Sequence, residues 1–280
     1  MTKPARARAA HAPELAAALA AARSAGELLR RRASEPYRVI RKSLHEMVAE
    51  VDLESQRVVL DTLNDAFPSY GVIAEERREV PAVDGPTWIV DPLDGTHNYI
   101  AGLPFSAVSI ALVDSGAAAD AFHLGVIYFP FEDRLFHAVR GGGAFCDDMP
   151  IQVSENDRLD KAVVCYDNQL HGDPAVLERL GRVARAAFTV RILGTATGDL
   201  CFISRGTVDA RVWNATKIVD VAAGQVLLSE AGGKLTDFSG RPLGLAARDV
   251  VASNGRVHDA LLAALAGDDH AAQTDHEVSS

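Results

Sequence analysis

Five short apolar runs lie between residues 71 and 139: GVIA (71–74), TWIVD (87–91), SAVSIALV (106–113), LGVIYF (124–129) and RLFHAV (134–139). Each is bounded by turn-forming residues, and each is short for a helix. Consecutive strands at spacings of about 10–20 residues pair with their neighbours, so the pattern predicts a large, mostly antiparallel sheet. GGGAF at 141–145 reads as a tight hairpin where backbones approach closely. A length of 280 residues suits one large α/β domain or two closely packed ones.

Helical patterns flank these strands. Leu15, Leu19, Ala22, Gly26 and Leu29 fall on one face of a helix over 13–33. A second helix runs from Leu53 to Phe67, with Val58, Val59, Thr62, Leu63 and Ala66 inward, and Pro68 stops it. Beyond residue 155 strands and helices alternate. KAVVCY (161–166), TVRIL (189–193), DARVW (209–213), KLTDF and DVVASN read as strands; 174–188, 197–206, 221–231 and 258–265 read as helices. In 174–188 the residues Val176, Leu177, Leu180, Val183 and Ala184 form the expected inner face. The division predicted is 11–154 as an α+β half and 155–266 as a smaller α/β half, tightly packed. Residues 1–10 and 267–280 are expected to be disordered tails.

Charge narrows the partners. There are 38 acidic residues against 28 basic ones, a formal charge of −10. Such a surface repels nucleic acid and anionic lipid, so neither is expected as a partner. No apolar stretch reaches the ~18 residues of a membrane helix. Cys146, Cys165 and Cys201 are odd in number and widely spaced, which argues against disulfides and structural zinc and fits a reducing cytoplasm.

The chemistry concentrates in 71–105. Glu75 and Glu76 follow one predicted strand; Asp91 ends another, and Asp94 lies three residues on in Asp-Pro-Leu-Asp-Gly-Thr. Carboxylates converging at one sheet edge repel each other unless a cation sits between them. Oxygen donors without cysteine select a hard ion, Mg²⁺ or Mn²⁺. Pro92 stiffens the span between the aspartates, and Gly95 permits a tight turn whose following amides suit phosphate. Taken singly, each piece has a plainer reading. Asp-Pro and Asp-Gly are turn dipeptides. Glu75-Glu76-Arg77-Arg78 could be a solvated charge cluster, Asp52 a helix-end carboxylate, and Asp220 an N-cap for 221–231. No GxGxxG follows the first strand, so a dehydrogenase reading gains nothing.

The whole pattern resembles the inositol monophosphatase family of Mg²⁺-dependent, lithium-sensitive phosphatases. The residues that carry the likeness are Ala74-Glu75-Glu76, Trp88-Ile89-Val90-Asp91-Pro92-Leu93-Asp94-Gly95-Thr96-His97-Asn98-Tyr99, Val219-Asp220-Val221-Ala222-Ala223-Gly224 and Glu230-Ala231-Gly232-Gly233. Val48-Ala49-Glu50-Val51-Asp52 matches an upstream element, and the likeness spans about 13–265. It implies a layered αβαβα sandwich, usually a homodimer. Glu75, Asp91, Asp94, Asp220 and the Leu93 carbonyl would be ligands for two or three Mg²⁺, with Mn²⁺ a substitute. Asp52 and Thr96, with Glu75, would activate water, and the Gly95 and Thr96 amides would hold phosphate. Asp94, Gly194, Thr195, Ala196, Trp213 and Asp220 would line the substrate.

The implied function is hydrolysis of a small phosphorylated polyol, with inositol monophosphate the default. A fructose-1,6-bisphosphatase, a histidinol-phosphatase or another sugar or nucleotide phosphatase is the alternative. Outside catalysis, the alternative is a regulatory member that keeps the fold without turnover. Ala49, Ala74 and Val219 depart from the family's Thr, Gly and Trp, and Arg41 or Lys42 stands for a Lys near the metal loop. Trp213 occupies the place of a Glu that contacts inositol, so the alcohol stays open.

Overall fold

The computed structural model describes residues 10–42, 47–76, 85–114, 122–171, 173–243 and 248–267. The expected tails fall outside these, apart from Ala10 and Gly267. The N-terminal elements are α1 (Ala12–Arg32), a hairpin of β1 (Val39–Arg41) with β2 (Met47–Ala49), and α2 (Glu50–Ala66). They lead into β3 (Gly71–Ala74), β4 (Pro86–Asp94), the short helix α3 (Thr96–Ala101), β5 (Ala107–Asp114), β6 (Phe122–Phe129), β7 (Arg134–Val139), β8 (Gly143–Cys146) and β9 (Met149–Pro150). Strands β3 to β9 form one seven-stranded sheet in sequence order, in which β3–β4 is parallel and every other pair antiparallel.

The remainder builds β10 (Val163–Tyr166), α4 (Pro174–Ala186), β11 (Thr189–Arg191), α5 (Ala196–Ser204), β12 (Ala210–Trp213), α6 (Ile218–Glu230), β13 (Lys234–Asp237), β14 (Val250–Ser253) and α7 (His258–Ala266). The second sheet has the order β11-β10-β12-β14-β13, parallel across its first three strands and antiparallel beyond.

Five layers result, as expected: α1 and α2, the seven-stranded sheet, α5 and α6, the five-stranded sheet, then α4 and α7. Four apolar clusters mark the four interfaces. The large sheet is covered on both faces, which is why its strands read as unbroken apolar runs. In β6, Leu124, Val126 and Tyr128 face α1 and α2 while Ile127 and Phe129 face α6. Gly125 faces α6 too; a Cβ there would stand 2.2 Å from the carbonyl oxygen of Ala223. The helix is therefore laid on the strand at backbone distance, closer than any side chain would permit.

The helix faces differ in part from the periodicity. In α1 the buried residues are Ala18, Ala21, Ala22, Ala25, Gly26 and Leu29, and Leu15 and Leu19 flank them. In α2 the buried face is Val51, Asp52, Ser55, Gln56, Val59, Leu60 and Leu63, with Ala66 exposed. Three polar side chains turn inward here because the layer beneath offers partners. Ser55 Oγ donates to Pro92 O at 2.7 Å, and Gln56 Oε1 accepts from Glu76 N at 3.0 Å. In α4 only Val176 and Val183 are buried; Leu177 and Ala184 are exposed because this helix forms an outer layer with one covered stripe.

Candidate active site

Residues three apart in an unbroken strand point to opposite faces. Asp91 and Asp94 escape this because β4 carries a bulge. Asp91 pairs with Ser109 and Asp94 with Ala107, so β4 advances three residues while β5 advances two. One extra residue in the Pro92–Leu93 step returns Asp94 to the face of Asp91. That face holds Ile89, which packs in the cluster with α6. Both aspartates are thereby aimed at the central helical layer.

The N-terminal ends of α5 and α6 meet them. Asp94 Oδ1 accepts from Ala196 N at 2.9 Å. Its Oδ2 accepts from Thr197 N at 3.1 Å, from Thr197 Oγ1 at 2.7 Å and from Thr195 Oγ1. Thr195 caps α5 and also accepts from Gly198 N, and a carboxylate at a helix N-terminus is favoured by the helix dipole. The plainer reading of Asp220 makes it the N-cap of a helix over 221–231. Instead α6 begins at Ile218, and Asp220 in the first turn reaches back with Oδ2 to Lys217 N at 2.8 Å and Thr216 Oγ1 at 2.9 Å. The capping contacts occupy one oxygen, so the other can serve a ligand.

Asp52 uses the same device in α2. Its Oδ2 accepts from Ala49 N and its Oδ1 from Thr96 Oγ1, both at 2.8 Å. Asp52 is thus a helix-end carboxylate but not a solvated one, since it is 1% exposed and joined to Thr96 across 44 positions of sequence. Gly95 has φ +79°, the left-handed turn expected of it, and a Cβ there would stand 2.5 Å from Phe105 O.

The acids act on one another electrostatically. Asp91 is 2% exposed; burial first, then Glu75, Asp94 and Asp220, push its carboxyl well above the ordinary range. Asp220 is pushed up to about 7 by burial and by Glu75, against the lowering effect of its Lys217 amide bond. Asp52 also reaches about 7, mainly through burial, with its Thr96 and Ala49 hydrogen bonds opposing the shift. Glu75 carries a protein cation, with Lys217 Nζ 3.2 Å from its Oε1. Among the described residues no three His, Cys, Asp or Glu side chains close into a finished ion cage. The donor set still suits a hard divalent cation: it is all oxygen and mutually repulsive, with Asp91 and Asp94 buried and Glu75 and Asp220 partly so.

A cleft of about 760 Å³ opens over these acids. Glu75, Asp91, Leu93, Asp94, Gly95, Thr96, Gly194, Ala196, Trp213 and Asp220 all line it. Asp52 and Thr195 do not; both are 1% exposed and act from behind, through Thr96 and Asp94. Trp213 touches the cleft but is 2% exposed, and its Nε1 is shielded and without a protein partner. Of Arg41 and Lys42, Lys42 is the one on the cleft, with Nζ 2.6 Å from Glu76 Oε1.

Two contributors were given no role by the sequence, although Asn98 falls inside the Trp88–Tyr99 signature and Arg211 inside a predicted strand. Asn98 Nδ2 donates to Phe105 O and Leu193 O, each at 2.8 Å, and lies 3.3 Å from Gly194 O. One amide thus ties the loop after α3 to the loop before α5. Arg211 is buried, pairs with Asp199, stacks 4.5 Å over the Trp213 ring and donates to Thr195 O at 3.1 Å. It braces the threonine that holds Asp94. Pattern reading offers no sign of a charged pair inside an apolar strand and helix.

Comparison with known proteins accords with this geometry. A family model described as the inositol monophosphatase family matches residues 11–270. "Inositol monophosphatase 2" of Solanum lycopersicum is 36% identical over 264 residues, 89% of this chain and 96% of that protein. "Fructose-1,6-bisphosphatase/inositol-1-monophosphatase" of Thermotoga maritima is 34% identical over 214 residues, 76% and 80% of the two chains. The crystal structure of the extragenic suppressor protein suhB from Bartonella henselae superposes with a TM-score of 0.85 at 34% identity, covering 90% of this chain and 97% of that one. The chain belongs to the inositol monophosphatase family, whose members are metal-dependent phosphoric monoester hydrolases.

Proposed function

We propose that this phosphatase uses Mg²⁺ to hydrolyse a small phosphorylated polyol, with inositol monophosphate as the first substrate to try. The observation that carries the reading is the buried Asp91, faced by Glu75, Asp94 and Asp220. Four such carboxylates are an unfavourable arrangement unless cations hold them together. Two or three Mg²⁺, or Mn²⁺ in their place, would neutralise the phosphate and make water a nucleophile at neutral pH. Asp91, Asp94, Asp220, Glu75 and the Leu93 carbonyl are the groups available to hold them.

The rest is work for this chain's own residues. The Thr96 hydroxyl donates its hydrogen bond to Asp52, which leaves its lone pairs to accept from a water in the cleft. Glu75 lines the cleft and would orient that water. The Gly95 and Thr96 amides start α3 beside the acids, where they would take phosphate oxygens. Gly194, Ala196 and Trp213 lie along the wall proposed for the alcohol. The same reading carries lithium sensitivity, a homodimer, a cytoplasmic setting, and the division into a metal-binding half (11–154) and a substrate-lining half (155–266). Among the described residues no helix is long and apolar enough to cross a membrane.

A second substrate reading follows from Trp213. An indole offers no acceptor for sugar hydroxyls, so a sugar bisphosphate, histidinol phosphate or a nucleotide phosphate competes with inositol monophosphate. The test is phosphate release from a panel of these four with and without Mg²⁺. Release that requires Mg²⁺ is expected from at least one. No release from any of them would refute the proposed activity, and the relative kcat/KM values decide between the two readings.

A further inference from the structure

The four acids have a protein cation among them already. Lys217 sits at the N-cap of α6, three residues before Asp220, and its side chain crosses to Glu75, 142 residues away in sequence, with Nζ 3.2 Å from Oε1. Its backbone amide meanwhile holds Asp220 Oδ2 at 2.8 Å. One residue thus fastens two of the four carboxylates, one beyond β3 and one on α6, by different atoms. The side chain also lines the cleft and is about half exposed, so the ammonium can move without disturbing the helix cap.

We propose that Lys217 is a tethered counter-ion that exchanges partners. In the metal-free protein it neutralises Glu75. A divalent cation taking Glu75 as a ligand, at the ~2.1 Å typical of Mg²⁺, brings like charge against the ammonium and displaces it. On its four-carbon stem the displaced ammonium can turn within the cleft, where a bound phosphate would be an anion within its reach. The lysine therefore weakens metal binding and strengthens phosphate binding. This rests on the metal reading above.

The test uses the full chain stripped of metal, with Lys217→Met and Lys217→Arg compared to wild type. Calorimetry gives the Mg²⁺ affinity, and a second titration gives the affinity for inorganic phosphate at saturating Mg²⁺. Loss of a half-exposed ion pair should tighten Mg²⁺ about three- to fivefold in Lys217→Met. Phosphate binding should weaken by a similar factor, and Lys217→Arg, still charged, should stay near wild type on both counts. Unchanged or weaker Mg²⁺ binding in Lys217→Met would overturn the exchange, as would unchanged phosphate affinity. No Mg²⁺ binding by wild type would overturn the metal reading and this inference with it.

Discussion

The buried pair Arg211–Asp199 offers a demanding test of how the site is braced. Both residues are almost fully enclosed, at 2% and 0% exposure, in the apolar layer between α5 and β12. Removing one partner strands a charge without water. Losses of that kind cost about 3–5 kcal/mol, or roughly 6–20 °C in Tm at about 2–4 °C per kcal/mol. Arg211→Met also forfeits the hydrogen bond to Thr195 O and the stacking on Trp213. Asp199→Ala leaves the guanidinium buried, and burial already lowers its affinity for a proton. The double variant removes both charges and should recover most of the loss, because an apolar pair in the same space is often neutral. Denaturant unfolding of the four proteins, metal-free, gives the cycle. A coupling energy of about 2 kcal/mol or more is expected. Single-variant losses under about 1 kcal/mol that simply add would refute the claim that the pair is a desolvated brace. Mg²⁺ affinity supplies a second readout. If Arg211 holds Thr195 and Thr195 holds Asp94, the double variant should fold well yet bind Mg²⁺ more weakly than wild type.

Two further outcomes follow from the acids. Asp91→Asn removes one proposed ligand charge and one source of repulsion. The variant should lose Mg²⁺ binding and turnover while its metal-free melting temperature stays level or rises, as circular dichroism and calorimetry would show; wild-type Mg²⁺ affinity would contradict the assignment. Asp220 is raised to about 7 by burial and by Glu75, so below that pH the metal must displace a proton. Mg²⁺ affinity should therefore fall at least about tenfold per unit as pH drops from 7 to 5. Equal affinity at pH 6 and pH 8 would be inconsistent with a protonated Asp220 in the metal-free site.

The strands of the large sheet were legible because both their faces are apolar, and RLFHAV, read as 134–139, is β7 to the residue. The acids at the strand ends were legible as well, since charged residues closing apolar runs have few structural uses. The helix faces were harder. In α2, periodicity favoured Val58 and Thr62, whereas the covered stripe includes Asp52, Ser55 and Gln56, whose burial depends on partners near Pro92 and Glu76. The family resemblance puts Trp213 on the substrate wall, yet β12 turns its ring mainly into the core beneath Arg211. Partners 95 or 142 residues apart, such as Asn98 with Leu193 and Lys217 with Glu75, leave no trace in local pattern. They exist only once two sheets are stacked with α5 and α6 between them.

The extra residue in β4 has a consequence for how such a chain can change. A strand assigns its side chains by parity, odd to one side and even to the other. Here the parity is broken once, between Asp91 and Asp94, and the acids share a side only because of that break. Replacing Leu93 leaves the count intact, and its contribution to the cleft beyond packing is a backbone carbonyl that any residue supplies. Inserting one more residue into the Pro92–Leu93 step, with the bulge still absorbing only one, would turn the second acid toward α1 and α2, where the cluster is wholly apolar. At this point of the chain the arithmetic of spacing is stricter than the chemistry of the residue being spaced.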